Sequence, residues 1–421
     1  MVKKIVFPNG LRLLLAPRPK ALASTVLVLV EAGSEYETKR TSGLSHFLEH
    51  MCFKGTVRRP THAVIANELA SLGAANNAFT SQEYTGYWAK AESHKLAQII
   101  DIISDLYLNP IFDPKEIDKE RGVIIEELNT YEDTPTDDVH NVWSKLLYGD
   151  QPAGWDVGGR KEIIRKLTQE DFLSYRRDRY TPPNTVVVVS GHFRERDVVA
   201  AVRERFGHLP WARRRAKPKT EERQTKPQVA VKFKKSDQSH LVLGVRAFDI
   251  FDKRRHALQT LSDIVGGGMS SRLFHRVRED LGAAYYIGAG AELLLDHGAF
   301  AVSAGVDRNR IVEVMGVIIE ELRRLTKDLV PPQELRKTKD HMIGKMVLGL
   351  ETSDEIAGFY GGQEILTKKL KEPNEVIRDL KAVTAEEIRA VARALFTDRR
   401  LNFAVIGPYA KDDSFRRALH F

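Results

Sequence analysis

Between Leu209 and Gln228 the chain turns charged, proline-containing and poor in large apolar residues, and the order of strand-like and helix-like segments before this stretch is repeated after it. A chain of 421 residues exceeds what one hydrophobic core usually organises. A polar break between two similar halves therefore predicts two homologous domains joined by a linker. In the first half, Ile5–Phe7 and Leu11–Leu15 flank Pro8, Asn9 and Gly10 as a hairpin, and Ser24–Glu31 reads as a further strand. Strand patterns recur at Ala75–Thr80, Tyr84–Lys90 and Thr185–Ser190, and helical periodicity at residues 42–54, 62–72, Ser93–Leu108 and Lys115–Tyr131. The second half offers strands at Val229–Phe233, His240–Val245, Ala284–Ala291, Gly298–Val306 and Leu401–Ile406, and a helix at Arg254–Val265. Antiparallel strands grouped with long helices argue for an α+β fold rather than a doubly wound parallel sheet. We expect two homologous domains, each a mostly antiparallel sheet packed against helices, over residues 1–210 and 229–421, with a linker at 211–228.

Several functional classes drop out on composition. Hydrophobic residues at 42% and charged residues at 29% match a globular chain, neither disordered nor fibrous. No apolar run approaches the roughly 20 residues that span a bilayer, Thr25–Val30 being the longest candidate, so no membrane partner is expected. Met1, Val2, Lys3 and Lys4 lead straight into the first hairpin without an apolar signal segment, which points to a cytoplasmic location. The single cysteine, Cys52, can form neither an internal disulfide nor a cysteine-cluster metal site. The net charge is +8, and the densest basic run, Trp211–Lys219, lacks the interleaved aromatics that stack on bases. It reads as a solvated linker, and no nucleic acid is expected as a partner.

The chemistry concentrates in His46, Phe47, Leu48, Glu49 and His50, which lie in a helical rhythm with Leu44, Phe47, Leu48 and Met51 on one side. On a helix, positions i and i+4 are about 40° apart, so the two histidines share a face, with Glu49 beside them. Two imidazoles suit zinc's preference for nitrogen. A carboxylate next to the open coordination position can take a proton from water and deliver it to a leaving amine. The plainer account is two histidines on a partly buried helix. A catalytic zinc needs a third protein ligand, and the helix expected over Lys115–Tyr131 offers one. Glu120 and Glu127 share a face there, whereas Glu126 is turned about 100° away. Glu127 is thus the expected third ligand and Glu120 a carboxylate that orients a ligand, unless both merely line a solvated face.

The inverted order of His46, Glu49 and His50, followed by Glu-Arg-Gly-Val-Ile-Ile-Glu-Glu at Glu120–Glu127, resembles the inverzincins, the family of pitrilysin, insulin-degrading enzyme and the mitochondrial processing peptidase. The resemblance extends from Val6 to Ile406. It implies a zinc metalloendopeptidase whose third ligand is the glutamate seven residues after the Glu of the Glu-Arg pair, here Glu127. The segment Asn76–Tyr87 resembles the family's active-site edge strand, on which Asn77, Ala78 and Phe79 would contact an extended substrate. For Tyr84 and Tyr87 a plain core role stays open. In the second half, Arg278 and Tyr285 match the family's pair that binds substrate and helps stabilise the reaction centre, where a guanidinium and a phenol can hydrogen-bond a developing oxyanion.

The second-half counterpart of the metal helix, Leu261–Phe274, has no HxxEH, so one Zn2+ per chain is expected. Its run Gly266, Gly267, Gly268 is not followed by the Gly-Lys-Ser/Thr of a phosphate loop. Family members of this size resemble half of a clamshell, in which two chains enclose a chamber that admits short or unfolded peptides. That implies a homodimer, or a heterodimer with an inactive homologue, in which Arg278 and Tyr285 approach the partner's zinc. The rival reading is a non-catalytic core or partner subunit of a peptidase-like complex. Such subunits usually lose site residues, whereas His46, Glu49, His50, Glu127, Arg278 and Tyr285 are all present.

Overall fold

In the computed structural model, which describes residues 1–421, eleven strands form two sheets. The first contains β1 (Lys3–Val6), β2 (Arg12–Pro17), β3 (Ala23–Val30), β4 (Ala75–Thr80), β5 (Thr85–Glu92) and β6 (Thr185–Gly191), in the order β1-β2-β6-β3-β5-β4. The second contains β7 (Gln228–Phe233), β8 (Gln238–Ala247), β9 (Ala284–Leu293), β10 (Gly298–Asp307) and β11 (Leu401–Gly407), in the order β7-β11-β8-β10-β9. Each sheet is antiparallel apart from one parallel pair, β2 with β6 and β7 with β11. With β1 set aside the two strand orders coincide position for position, parallel pair included. The expected α+β duplication is therefore present, and β4 and β9 are its equivalent edge strands.

The chain folds as two compact units. Unit 1 comprises Met1–Leu128, Asp156–Pro218 and Val347–Glu372, and unit 2 comprises Asn129–Trp155, Lys219–Met346 and Pro373–Phe421. The division expected from sequence, at 210 and 229, differs from this in two exchanged segments, and strand composition explains why. Strands buried on both faces read as nearly continuous aliphatic runs, as β3 and β6 do. On one face of the first sheet Leu13, Leu15, Val26, Val28, Val187 and Val189 join the core shared with the metal helix. On the other, Leu14, Leu27, Leu29, Val186 and Val188 are covered by Ala357, Tyr360 and Ile365 of the helix Ser353–Leu366. Gly361 permits this close approach, since a Cβ there would lie 2.7 Å from Leu29 Cδ1. The second sheet is completed in the same manner. Val242, Ala404 and Ile406 pack against Val139, Trp143 and Leu147 of the helix Pro135–Tyr148, which falls between β5 and β6 in sequence. Burying a leucine or valine is worth about 1.5–3 kcal/mol, so a piece ending at residue 210 lacks the cover for a full sheet face.

The basic run is mostly exposed, as expected, but it carries ion pairs that its sequence does not show. Arg214 pairs with buried Glu31, Arg215 with Asp178, and Lys217 with Glu35 and, at 3.2 Å, Glu83. The Lys217 side chain is only 7% exposed. Ion pairs thus tie Arg214, Arg215 and Lys217 to unit 1, while Trp211, Arg213, Ala216 and Pro218 stay exposed as a solvated run would. The acids that pair with it are far away in sequence, which no local charge pattern reveals.

Candidate metal centre

The helix Leu44–Cys52 starts where Gly43 adopts φ +90°. A Cβ at Gly43 would lie 2.5 Å from the Gly158 carbonyl oxygen, so glycine is required there for both conformation and space. The Glu37 carboxylate accepts the backbone N–H groups of Gly43 and Ser45, each at 2.7 Å, and so serves the helix start that lacks a capping side chain of its own. Burial pushes the Glu37 carboxyl up to about 8, against the pull of those two donors. Leu44, Phe47, Leu48 and Met51 are buried in the core, and this anchored face fixes where His46, Glu49 and His50 project. The facing helix, Pro114–Asp133, buries Ile117, Glu120, Ile124 and Leu128 on one side. Glu127 stands half-buried on that side, while Glu126 is exposed.

Three donor atoms converge between these helices. His46 Nε2 and His50 Nε2 are 3.2 Å apart, and Glu127 Oε2 lies 3.7 Å from the first and 3.6 Å from the second. A tetrahedral zinc with bonds of about 2.0–2.1 Å keeps its ligand atoms roughly 3.4 Å apart, so the triangle fits that ion. Without a cation, three lone-pair donors aimed at one point repel. The two nitrogens and one carboxylate oxygen also form a donor set that zinc takes readily. His50 Nδ1 donates to Glu120 Oε1 at 2.9 Å, which leaves the Nε2 lone pair facing the triangle. Lys54 pairs with the other oxygen, Glu120 Oε2. The Glu120 carboxyl is buried, yet its bonds to His50 and Lys54 hold it below the usual carboxylate range. Burial and the neighbouring His50 lower the His46 pKa to about 4. Burial also acts to lower that of His50, but the bond to Glu120 and the nearby carboxylates outweigh it and leave it raised. Glu49 is half-buried beside the triangle. Desolvation raises its carboxyl above the ordinary range, against a hydrogen bond in which Thr80 Oγ1 donates to Glu49 Oε2 at 2.6 Å.

The residues expected to contact an extended substrate lie on β4, the edge strand of the first sheet, whose only partner is β5. Asn77 is exposed, Ala78 half-buried, and Phe79 is 37% exposed with its ring edge-on to Tyr84. Tyr87 is fully buried and bonds Tyr180, so the core role left open for it is the one the structure shows. Arg278 and Tyr285 belong to unit 2. Arg278 is exposed, with its guanidinium 5.0 Å from the Phe274 ring centroid, and Tyr285 on edge strand β9 is 62% exposed.

Comparison with known proteins places the chain in a family. The family described as insulinase (peptidase family M16) matches residues 12–157, and the peptidase M16 inactive domain matches residues 166–342. A Bacillus subtilis protein named an uncharacterized zinc protease is 33% identical over 401 residues, covering 94% of this chain and 96% of its own. The chain belongs to peptidase family M16. A Mycobacterium leprae relative, also named an uncharacterized zinc protease, is 33% identical and covers 99% of this M16 chain and 94% of its own length. Among solved structures, a protease from Helicobacter pylori superposes with a TM-score of 0.91 at 23% identity, over 97% of this chain and 99% of that one. A peptidase M16 inactive domain from Pseudomonas fluorescens reaches 0.89 at 18% identity, over 97% and 98%. These two likenesses concern the fold.

Two residues of this M16 site escaped the sequence reading. Thr80 was signalled by alternation along β4, which places it on the face of Ala78, toward the metal helix. Lys54 stands four residues beyond His50, past the helix end, where periodicity no longer applies. Glu120→Gln keeps the shape of the side chain and removes the charge that holds the His50 Nδ1 proton. Zinc affinity, measured by competition with a chromogenic chelator, is expected to fall about 10–100-fold.

Proposed function

We propose that this chain is a zinc endopeptidase that hydrolyses peptide bonds in short or unfolded polypeptides, with one zinc held by His46, His50 and Glu127. The observation that carries the reading is the triangle of donor atoms at 3.2, 3.6 and 3.7 Å with the Glu49 carboxylate beside it. Bound there, zinc supplies Lewis-acid activation of water and of the scissile carbonyl. Glu120 holds the His50 ring so that Nε2 faces the site. The edge of β4, carrying Asn77, Ala78 and Phe79, offers backbone donors and acceptors to an extended peptide, which register the scissile bond beneath Glu49. Glu49 takes a proton from the attacking water and passes it to the amine nitrogen as the C–N bond breaks.

Arg278 and Tyr285 supply an N–H and an O–H to the carbonyl oxygen as it gains charge. In this proposal they serve the zinc of a second chain, and two chains enclose the chamber. The proposal is supported by their exposure and by the placement of metal ligands and oxyanion donors in separate units. The chain purified alone and loaded with zinc should cleave a mixed peptide library and run at the mass of a dimer, by light scattering. A monomer with full activity contradicts the chamber. Zinc-loaded protein that leaves every peptide intact contradicts the peptidase.

A further inference from the structure

We infer that Thr80 is the positioning residue that sets the Glu49 carboxylate for proton transfer, tying the reacting group to the strand along which the peptide lies. The inference rests on the peptidase reading above. Glutamate has three side-chain torsions, and its place on the helix Leu44–Cys52 does not by itself select among them. His50 and Glu127 act on Glu49 through charge, whereas Thr80 holds it by a directed bond of 2.6 Å to Oε2. That length is normal for a hydroxyl donating to a carboxylate.

Thr80 is well placed to impose a direction. It is the last residue of β4, in register with Thr85, whose buried hydroxyl donates to the Ala32 carbonyl at 2.8 Å and lies 3.4 Å from Thr80 Oγ1. A β-branched side chain on a strand is stiff at χ1, so the backbone of β4 decides where the hydroxyl points. With Oε2 engaged, Oε1 becomes the oxygen that accepts the proton of the attacking water. The same oxygen returns it to the amine nitrogen: one water is consumed, a C–O bond forms, the C–N bond breaks, and Glu49 ends as it began. A peptide pairing with β4 lies against the strand that holds the carboxylate. Correct seating of the peptide and correct aim of Glu49 are therefore properties of one strand.

Thr80→Val keeps the shape and deletes the hydroxyl, and Thr80→Ser keeps the hydroxyl. In the zinc-loaded protein, Thr80→Val should lower kcat about tenfold or more, a share of the roughly 10²–10⁴ that a positioned acid or base contributes. KM should stay within twofold and zinc content unchanged, while Thr80→Ser should return kcat to within about threefold of wild type. A second readout needs no activity. In chelator-treated protein, Thr80→Val should lower the urea midpoint clearly more in the wild-type background than in Glu49→Ala, where the bond to Glu49 is already gone and only the long Thr85 contact is left to lose. An equal shift in both backgrounds overturns the inference, as does a raised KM with kcat intact, or a serine variant no better than valine. A wild-type protein that binds zinc and cleaves nothing refutes the peptidase reading, and the unfolding cycle still decides the bond. A wild type that cleaves, with Thr80→Val equally fast, refutes this inference alone.

Discussion

Glu49→Gln is expected to reduce kcat about 10²–10⁴-fold while the protein retains its zinc. The amide has the size and shape of the acid and still accepts the Thr80 hydroxyl, so the helix and the His46, His50 and Glu127 triangle should be undisturbed. What it lacks is a lone pair basic enough to take a proton from water. The loss should appear in kcat with little change in KM, because nothing in the proposed contacts of β4 with the peptide involves Glu49. Metal analysis and steady-state kinetics on the same preparation separate the outcomes. Loss of zinc with activity would make Glu49 a ligand. Unaltered cleavage would remove it from the chemistry.

Glu127→Ala should abolish tight zinc binding, and activity with it, whereas Glu126→Ala should leave both near wild type. The adjacent pair is a sharp test because composition and local charge are the same in either variant, and only helical phase differs. Glu127 Oε2 reaches within 3.7 Å of both histidine nitrogens, while Glu126 is exposed. Removing one of three ligands should weaken binding by more than the roughly 10–100-fold expected from Glu120→Gln, which disturbs only the orientation of a ligand. Competition titration with a chelator ranks the three variants on one scale. If Glu126→Ala loses the metal and Glu127→Ala keeps it, the assignment of the third ligand is reversed.

That His46, His50 and Glu127 converge was readable in the sequence because helical phase is a local property. The spacing of His46 and His50 fixes one edge, and the seven-residue interval from Glu120 to Glu127 selects one of two neighbouring acids. Strand positions were equally plain, since β3 and β6 are aliphatic runs bounded by polar residues. Which helix covers which sheet face was not, because that depends on pairing across the whole chain. Val139, Trp143 and Leu147 stand at helical spacing in Pro135–Tyr148, yet that signal says only that one side is apolar. In Ser353–Leu366 three glycines dilute even that pattern, although Gly361 is what lets the helix approach the first sheet. The ion pairs of Arg214, Arg215 and Lys217 were hidden for a related reason. A basic run shows no partners until Glu31, Glu35 and Glu83 are brought to it by the fold.

Zinc dependence of peptide cleavage by the purified chain tests the account most directly. The protein is stripped with a chelator, zinc is returned in substoichiometric steps, and cleavage of a mixed peptide library is followed by mass spectrometry. Activity should vanish on stripping and return in proportion to added zinc, reaching its plateau at one equivalent per chain. Cleavage that survives complete removal of the metal, or a chain that takes up one zinc and still cuts no peptide, would contradict it.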